Sequence, residues 1–186
     1  FTSNAITAYH FDSTERFYDN LRILLSFVSE PYFTDESVAK EQGIIGQEIR
    51  MIEDNPEWRV YTNLLRCLYR NSPARVSVAG TVESISHITA QTLYDCHRAF
   101  YTPGNMVLVC VGNLEMDRVA AAAEEILPRE SGPAVPRDYG GEEDQTPAGS
   151  EVSEAMEVFM PQFLAGFKCR PIDGGEALLR QSLVGD

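Results

Sequence analysis

A chain of 186 residues with 44% apolar content has the length for a sizeable core, and none of its apolar runs is long enough to span a bilayer. Its net charge of −13 lacks the basic footprint that nucleic-acid binding needs, so neither a nucleic acid nor a membrane is an expected partner. The charge is uneven: residues 138–157 hold seven acids, Asp138, Glu142, Glu143, Asp144, Glu151, Glu154 and Glu157, and no Lys or Arg.

Residues 5–12 (AITAYHFD) are rich in β-branched and aromatic side chains and predict a strand. Ser13 or Thr14 is expected to cap a helix running to about Ser29, with Phe17, Leu21, Leu24, Leu25 and Val28 on its apolar stripe. Thr34 caps the next and longest helix, which Asn55-Pro56 breaks or kinks. A further helix then runs to about Tyr69 with Trp58, Tyr61, Leu64, Leu65 and Leu68 inward. Residues 71–88 read as loop with one short helical turn, and Thr89 caps a helix from Ala90 to about Phe100. The turn Thr102-Pro103-Gly104-Asn105 leads into MVLVCVG, an apolar run suited to a central strand. An alanine-rich helix follows over 117–127, and then the acidic segment 138–157, expected to be an exposed, solvated loop. EVFMPQFLAGFKC predicts another strand, with Pro161 marking an edge or bulge, and a last helix begins near Gly175. Strands and helices mix without a βαβ rhythm. The expected fold class is therefore α+β, a mostly antiparallel sheet with helices packed on one face. The chain starts at Phe1 with neither an initiator Met nor a leader, which suggests one incomplete domain, residues 1–186, from a longer soluble protein. The four cysteines, Cys67, Cys96, Cys110 and Cys169, form no CxxC pair and read as reduced, mostly buried residues of a cytoplasmic protein.

The long helix poses the chemical question. At about 100° per residue, Val38, Ile44, Ile45, Ile49, Met51 and Ile52 fall in one arc of roughly 160°, while Lys40, Gln42, Gln47 and Arg50 lie outside it. Glu41 and Glu48 fall inside the arc. A carboxylate aimed at a core is costly unless a cation or metal ion pairs with it. Seven residues is two turns, roughly 10 Å, too far for both to bind one small ion directly. One acid can be a ligand and the other can orient a neighbouring ligand; alternatively, both pair with arginines or sit at the arc's edge. His10, His87 and His97 are isolated, and the chain contains no HExxH, HxxEH, GxSxG, Walker A or GxGxxG sequence.

Five stretches in order, FTSNAITAYHF, PYFTDESVAKEQGIIGQEI, DNPEWR, AGTVESISHIT and FYTPGNMVLVCVGN, resemble the pitrilysin/insulinase family of zinc metallopeptidases, most nearly its bacterial processing-peptidase-like branch. The resemblance runs from Phe1 to about Leu127 and continues more weakly through FMPQFLAGFK. It implies a zinc ion held by two histidines of an HxxEH helix and by the second of two acids seven residues apart, here Glu48, with Glu41 as support behind the ligands. Phe1 and Thr2 match the end of an edge strand to which peptide substrate is added. Tyr101, Pro103, Asn105 and Met106 match a signature that turns a helix into the central strand. HxxEH, with the general base, is expected upstream of Phe1, so no catalytic base is assigned within this chain. The resemblance thus implies part of the catalytic domain of a zinc endopeptidase that cleaves peptides with a zinc-activated water. The piece itself is expected to be inactive and not to hold the metal alone. It also implies a second homologous domain or subunit enclosing the substrate. The alternative is a non-catalytic partner of the same fold that binds peptide or completes a peptidase chamber. Apolar surface left bare on the chain is expected to make it self-associate.

Overall fold

The computed structural model describes residues 1–4, 6–127, 132, 135–136, 138 and 141–169. The helix expected near Gly175 lies outside them. Two compact units form, Phe1–Met51 with Val78–Asp138, and Ile52–Ser77 with Tyr139–Asp186.

The helices follow their local signals. Helix α1 spans Phe17–Ser29, and its start differs from expectation: the residue before it is Arg16 in the left-handed conformation (φ 56°), with no side-chain cap. Ser13 instead serves the preceding turn, its hydroxyl donating to the Glu15 carbonyl and accepting from Asn20 Nδ2 at 3.3 Å. Helix α2 spans Asp35–Glu53. Thr34 caps it reciprocally: Ser37 N–H donates to Thr34 Oγ1 at 3.1 Å, and Thr34 N–H donates to Ser37 Oγ at 3.0 Å. Helix α3, Pro56–Leu68, begins with Pro56 where a missing N–H costs nothing, and Asn55 Oδ1 accepts from Glu57 and Trp58 N–H. The short α4, Val82–Ser86, and α5, Ala90–Phe100, carry capping boxes at Thr81/Ser84 and Thr89/Thr92. Helix α6 spans Met116–Ile126.

The first unit is built on α1 against α6. Leu21 and Leu25 meet Val119 and Ala122, with Phe11, Phe17, Tyr18, Cys110 and Leu114 around them. Leu21 is 1% exposed and Ala122 0%, so the alanines of α6 let the helices approach closely. Tyr94 of α5 fixes the entry to α2, accepting from Phe33 N–H at 2.9 Å and donating to the Phe33 carbonyl at 3.1 Å.

The expected antiparallel sheet is absent among the described residues, and the fold class is corrected accordingly: six α helices and two 3-10 turns, with a single isolated bridge between Thr2 and Thr7. Residues 106–111 show why. Val107, Val109 and Val111 are 88%, 75% and 91% exposed, while Cys110 packs on the α1–α6 core. The alternation is that of a strand, but among the described residues no neighbouring segment takes its backbone hydrogen bonds, and a sheet exists only between strands. Residues 157–169 likewise carry no regular structure, with Phe159, Phe163 and Phe167 exposed. Helices close their own hydrogen bonds locally and so form without such partners.

In the second unit no residue of α3 is fully buried, and Trp58 and Tyr61 are exposed rather than inward. Leu64 and Leu68 do face a covering segment: a Cβ at Gly166 would lie 3.1 Å from each, so the backbone approaches α3 closely there. The acidic segment is mostly exposed, as expected, yet it is anchored. Glu143 accepts from three consecutive backbone N–H groups, Arg70 at 2.8 Å, Asn71 at 2.7 Å and Ser72 at 2.8 Å, and from Lys168 Nζ at 2.8 Å. Glu154 bonds the Arg59 guanidinium and accepts from Asn63 Nδ2. The Arg70 N–H and the Lys168 ammonium are the leading causes that hold the Glu143 carboxyl down at about 2. A lowered acid contributes stability above its ordinary value of 4.5, and that contribution disappears as pH falls through about 2. Urea midpoints measured at neutral and acid pH should therefore fall across this window, and Glu143→Gln should lower the neutral midpoint and flatten the acid loss.

The four cysteines are free, with Cys96 and Cys169 exposed and none fully buried, so the expectation of mostly buried thiols is corrected. Among the described residues no helix is long and apolar enough to cross a membrane.

Candidate functional site

Glu41 and Glu48 both lie on α2, and both are exposed. The expectation that they point into the core is corrected by the rotation of the helix. Its buried side is Val38, Gly46 and Ile49, with Gln42, Ile45 and Ile52 half-buried beside them. Ile44 and Met51 face away from it, 50% and 69% exposed. At about 100° per residue the two acids occupy the strip between the buried stripe and this bare apolar edge. Neither carboxylate has a hydrogen-bond or ion-pair partner among the described residues. The alternative of pairing with arginines is not met there: the nearest arginine in sequence, Arg50, points its guanidinium toward Gly46 on another face of the helix.

The three histidines stay apart. His97 Nε2 lies 2.7 Å from the Val28 carbonyl, and its ring stacks on Tyr101 at 4.7 Å. The Tyr101 hydroxyl meets the Tyr9 hydroxyl at 2.8 Å, and burial first, then this hydrogen bond, push its pKa up to about 12. Pro103–Asn105 form the expected turn, and Asn105 Nδ2 closes it on the Phe100 carbonyl at 2.9 Å. His10 lies beside the Phe1 ring and His87 follows α4. Among the described residues no group of three His, Cys, Asp or Glu could hold a metal ion. Glu48 offers a carboxylate oxygen of the kind zinc accepts, and among the described residues no second and third ligand stand beside it.

Phe1 and Thr2 begin a tight hairpin. Phe1 and Ala8 exchange both backbone hydrogen bonds at 2.9 Å, and Ser3 N–H donates to the Ile6 carbonyl at 2.8 Å. Thr2 therefore sits at the non-hydrogen-bonded position opposite Thr7, where its own N–H and carbonyl point away from the hairpin. Among the described residues no segment pairs with the outer edge at Thr2. No hydrogen bond, ion pair or ring contact joins this hairpin to Glu41 or Glu48 among the described residues.

One residue was hidden from sequence reasoning. Gln42, assigned to the polar side, donates from Nε2 to the Ile85 carbonyl at 2.8 Å and to the Ile88 carbonyl at 2.7 Å. Its neighbourhood within VAKEQGIIG gives no signal of this, because its partners are backbone atoms more than 40 residues away.

Residues 1–82 match the family model described as Insulinase (Peptidase family M16), and residues 87–184 match the model described as Peptidase M16 inactive domain. The chain belongs to the M16 peptidase family. A Bacillus subtilis relative, the uncharacterized zinc protease YmfH, is 41% identical over 98% of this chain and 44% of its own length. An uncharacterized zinc protease of Rickettsia felis is 28% identical over 58% of this chain and 26% of its own. The chain thus spans less than half the length of these M16 relatives. The crystal structure of an M16-like peptidase from Alicyclobacillus acidocaldarius superposes with a TM-score of 0.65 at 42% identity, over 73% of this chain and 32% of that one. An M16 inactive domain from Pseudomonas fluorescens, at 24% identity and TM-score 0.55, shares the fold over 67% of this chain and 31% of its own. The M16 resemblance read from the five motifs is therefore upheld, and both acids of α2 fall within the span matching the Insulinase model.

Proposed function

We propose that this chain is part of the catalytic domain of a zinc endopeptidase and contributes Glu48 as a metal ligand, with Glu41 supporting the neighbouring ligands. The observation that carries the reading is the pair of acids, without partners among the described residues, two turns apart on the exposed side of α2, bordered by the bare Ile44 and Met51. Bound zinc supplies a Lewis acid and a water of lowered pKa. The chain's own groups do the rest of what it contributes. Glu48 presents its carboxylate from a helix held by Val38 and Ile49. The outer edge at Thr2, steadied by the Phe1–Ala8 bonds, takes peptide backbone as an added strand. The remaining ligands and the general base come from an HxxEH sequence outside residues 1–186, and a second homologous domain or subunit closes over the substrate. The protein works in the cytoplasm, and the piece alone is inactive and self-associates through its exposed apolar surface.

The match of residues 87–184 to a model named for an inactive domain favours a second reading, a non-catalytic partner that binds peptide. Peptide hydrolysis by the longest natural polypeptide carrying this sequence separates the two. The first reading expects cleavage that a chelator abolishes and added zinc restores. No cleavage by that polypeptide, alone or with zinc, supports the partner.

A further inference from the structure

The α2 helix carries two apolar edges, and only one is buried. Taking Val38 as the origin and about 100° per residue, Ile45, Ile49 and Ile52 lie within roughly 40° of it, whereas Ile44 and Met51 lie about 120–140° away. Glu41 and Glu48 occupy the gap. A rotation of roughly 140° would bring Ile44 and Met51 to the packed side in place of Val38 and Ile49, draw Ile45 and Ile52 partly away from it, and turn both acids toward it. Burying two unpaired carboxylates opposes that rotation. The hydrogen bonds of Gln42 oppose it as well.

We infer that Gln42 is a positioning residue: its two hydrogen bonds to the Ile85 and Ile88 carbonyls pin α2 in the rotation that the two acids favour and thereby hold Glu48 steady for the metal. Both Nε2 hydrogens are used, at 2.8 and 2.7 Å, on the side of the buried stripe away from the acids. The carbonyls are themselves fixed. Ile85 is buried beside Gly46, and Ile88 N–H returns to the Ile85 carbonyl at 3.1 Å, closing the turn after α4. In the alternative rotation the amide leaves this turn and the half-buried Ile88 carbonyl loses its side-chain donor, a strong bias toward the observed setting. The inference rests on the reading of Glu48 as a ligand for its function, but the rotation itself can be tested without metal.

Alkylation of Met51→Cys, followed by peptide mass spectrometry in the metal-free 186-residue chain at a dilution where sedimentation shows a folded monomer, reports the bare edge directly. The thiol should react at the rate of an exposed cysteine with Gln42 present, and at least about fivefold more slowly with Gln42→Met, as the edge turns inward. An unchanged rate would overturn the inference. In the longest natural polypeptide, Gln42→Met should weaken zinc binding about tenfold in chelator competition. Gln42→Lys, whose ammonium can donate to both carbonyls, should recover most of that loss. If Glu48→Gln abolishes zinc binding while Gln42→Met leaves it at the parent value, Gln42 has no positioning role and the ligand reading stands. If Glu48→Gln itself leaves zinc binding unchanged, the ligand reading falls and takes the function of Gln42 with it.

Discussion

Glu48→Gln, made in the longest natural polypeptide carrying this chain, is expected to weaken zinc binding by more than about 100-fold, and Glu41→Gln by about 10- to 100-fold. The asymmetry follows from geometry. Two turns of helix, roughly 10 Å, separate the acids, so only one can touch the ion. The amide at position 48 keeps the shape of the side chain and removes the anionic oxygen, leaving a poor ligand among otherwise intact donors. At position 41 the loss is orientation of a neighbour. Both residues are exposed on α2 and have no partner among the described residues, so neither amide should disturb folding, and thermal unfolding of the metal-free protein should stay within about half a kcal/mol of the parent. Chelator competition measures the affinities. Equal and small losses for both would mean that the pair is a solvated face of the helix and no more.

Leu21→Ala is the substitution expected to cost the first unit most, about 3 kcal/mol. Leu21 is 1% exposed and sits at the centre of the α1–α6 contact, with Leu25, Val119 and Ala122 around it. Truncation removes the transfer free energy of the lost methyl groups and opens a cavity. The neighbours close such a cavity poorly, because Ala122 on the facing helix has no longer side chain to swing in. Urea unfolding followed by circular dichroism reads the loss. Ile23→Ala, on the exposed side of α1, is the control, expected within about half a kcal/mol of the parent.

What the sequence made legible divides along the range of the interaction. Thr34 and Thr89 cap the helices they were expected to cap, since a cap is settled within three or four residues, and Asn55, read only as part of a break, caps the helix after it. The stripe of α1 was correct at Leu21 and Leu25 for the same local reason. The strand at MVLVCVG failed because its apolar run specifies a side-chain alternation, which Val107 to Val111 still show, but not the partner that would complete a ladder. The rotation of α2 failed more instructively. Ile44 and Met51 were counted as inward along with Val38 and Ile49, which placed Glu41 and Glu48 at the centre of the arc. The structure turns the helix toward Gln42, whose anchoring carbonyls lie beyond residue 80 and leave no trace near it in the chain. The seven-residue spacing of the acids was visible at once, yet it acquired a chemical meaning only through the family motifs around it. Glu143 was one acid among seven in residues 138–157, and nothing local distinguished the one that fills the three backbone N–H groups of residues 70–72.

The central claim is that Glu48 is a zinc ligand of an M16 peptidase, and metal content tests it most directly. Elemental analysis of the longest natural polypeptide, purified without chelator beside its Glu48→Gln variant, should give about one zinc per site in the parent and a large loss in the variant, with circular dichroism the same for both. Zinc retained in full by the folded variant, or absent from a folded parent, would contradict the account.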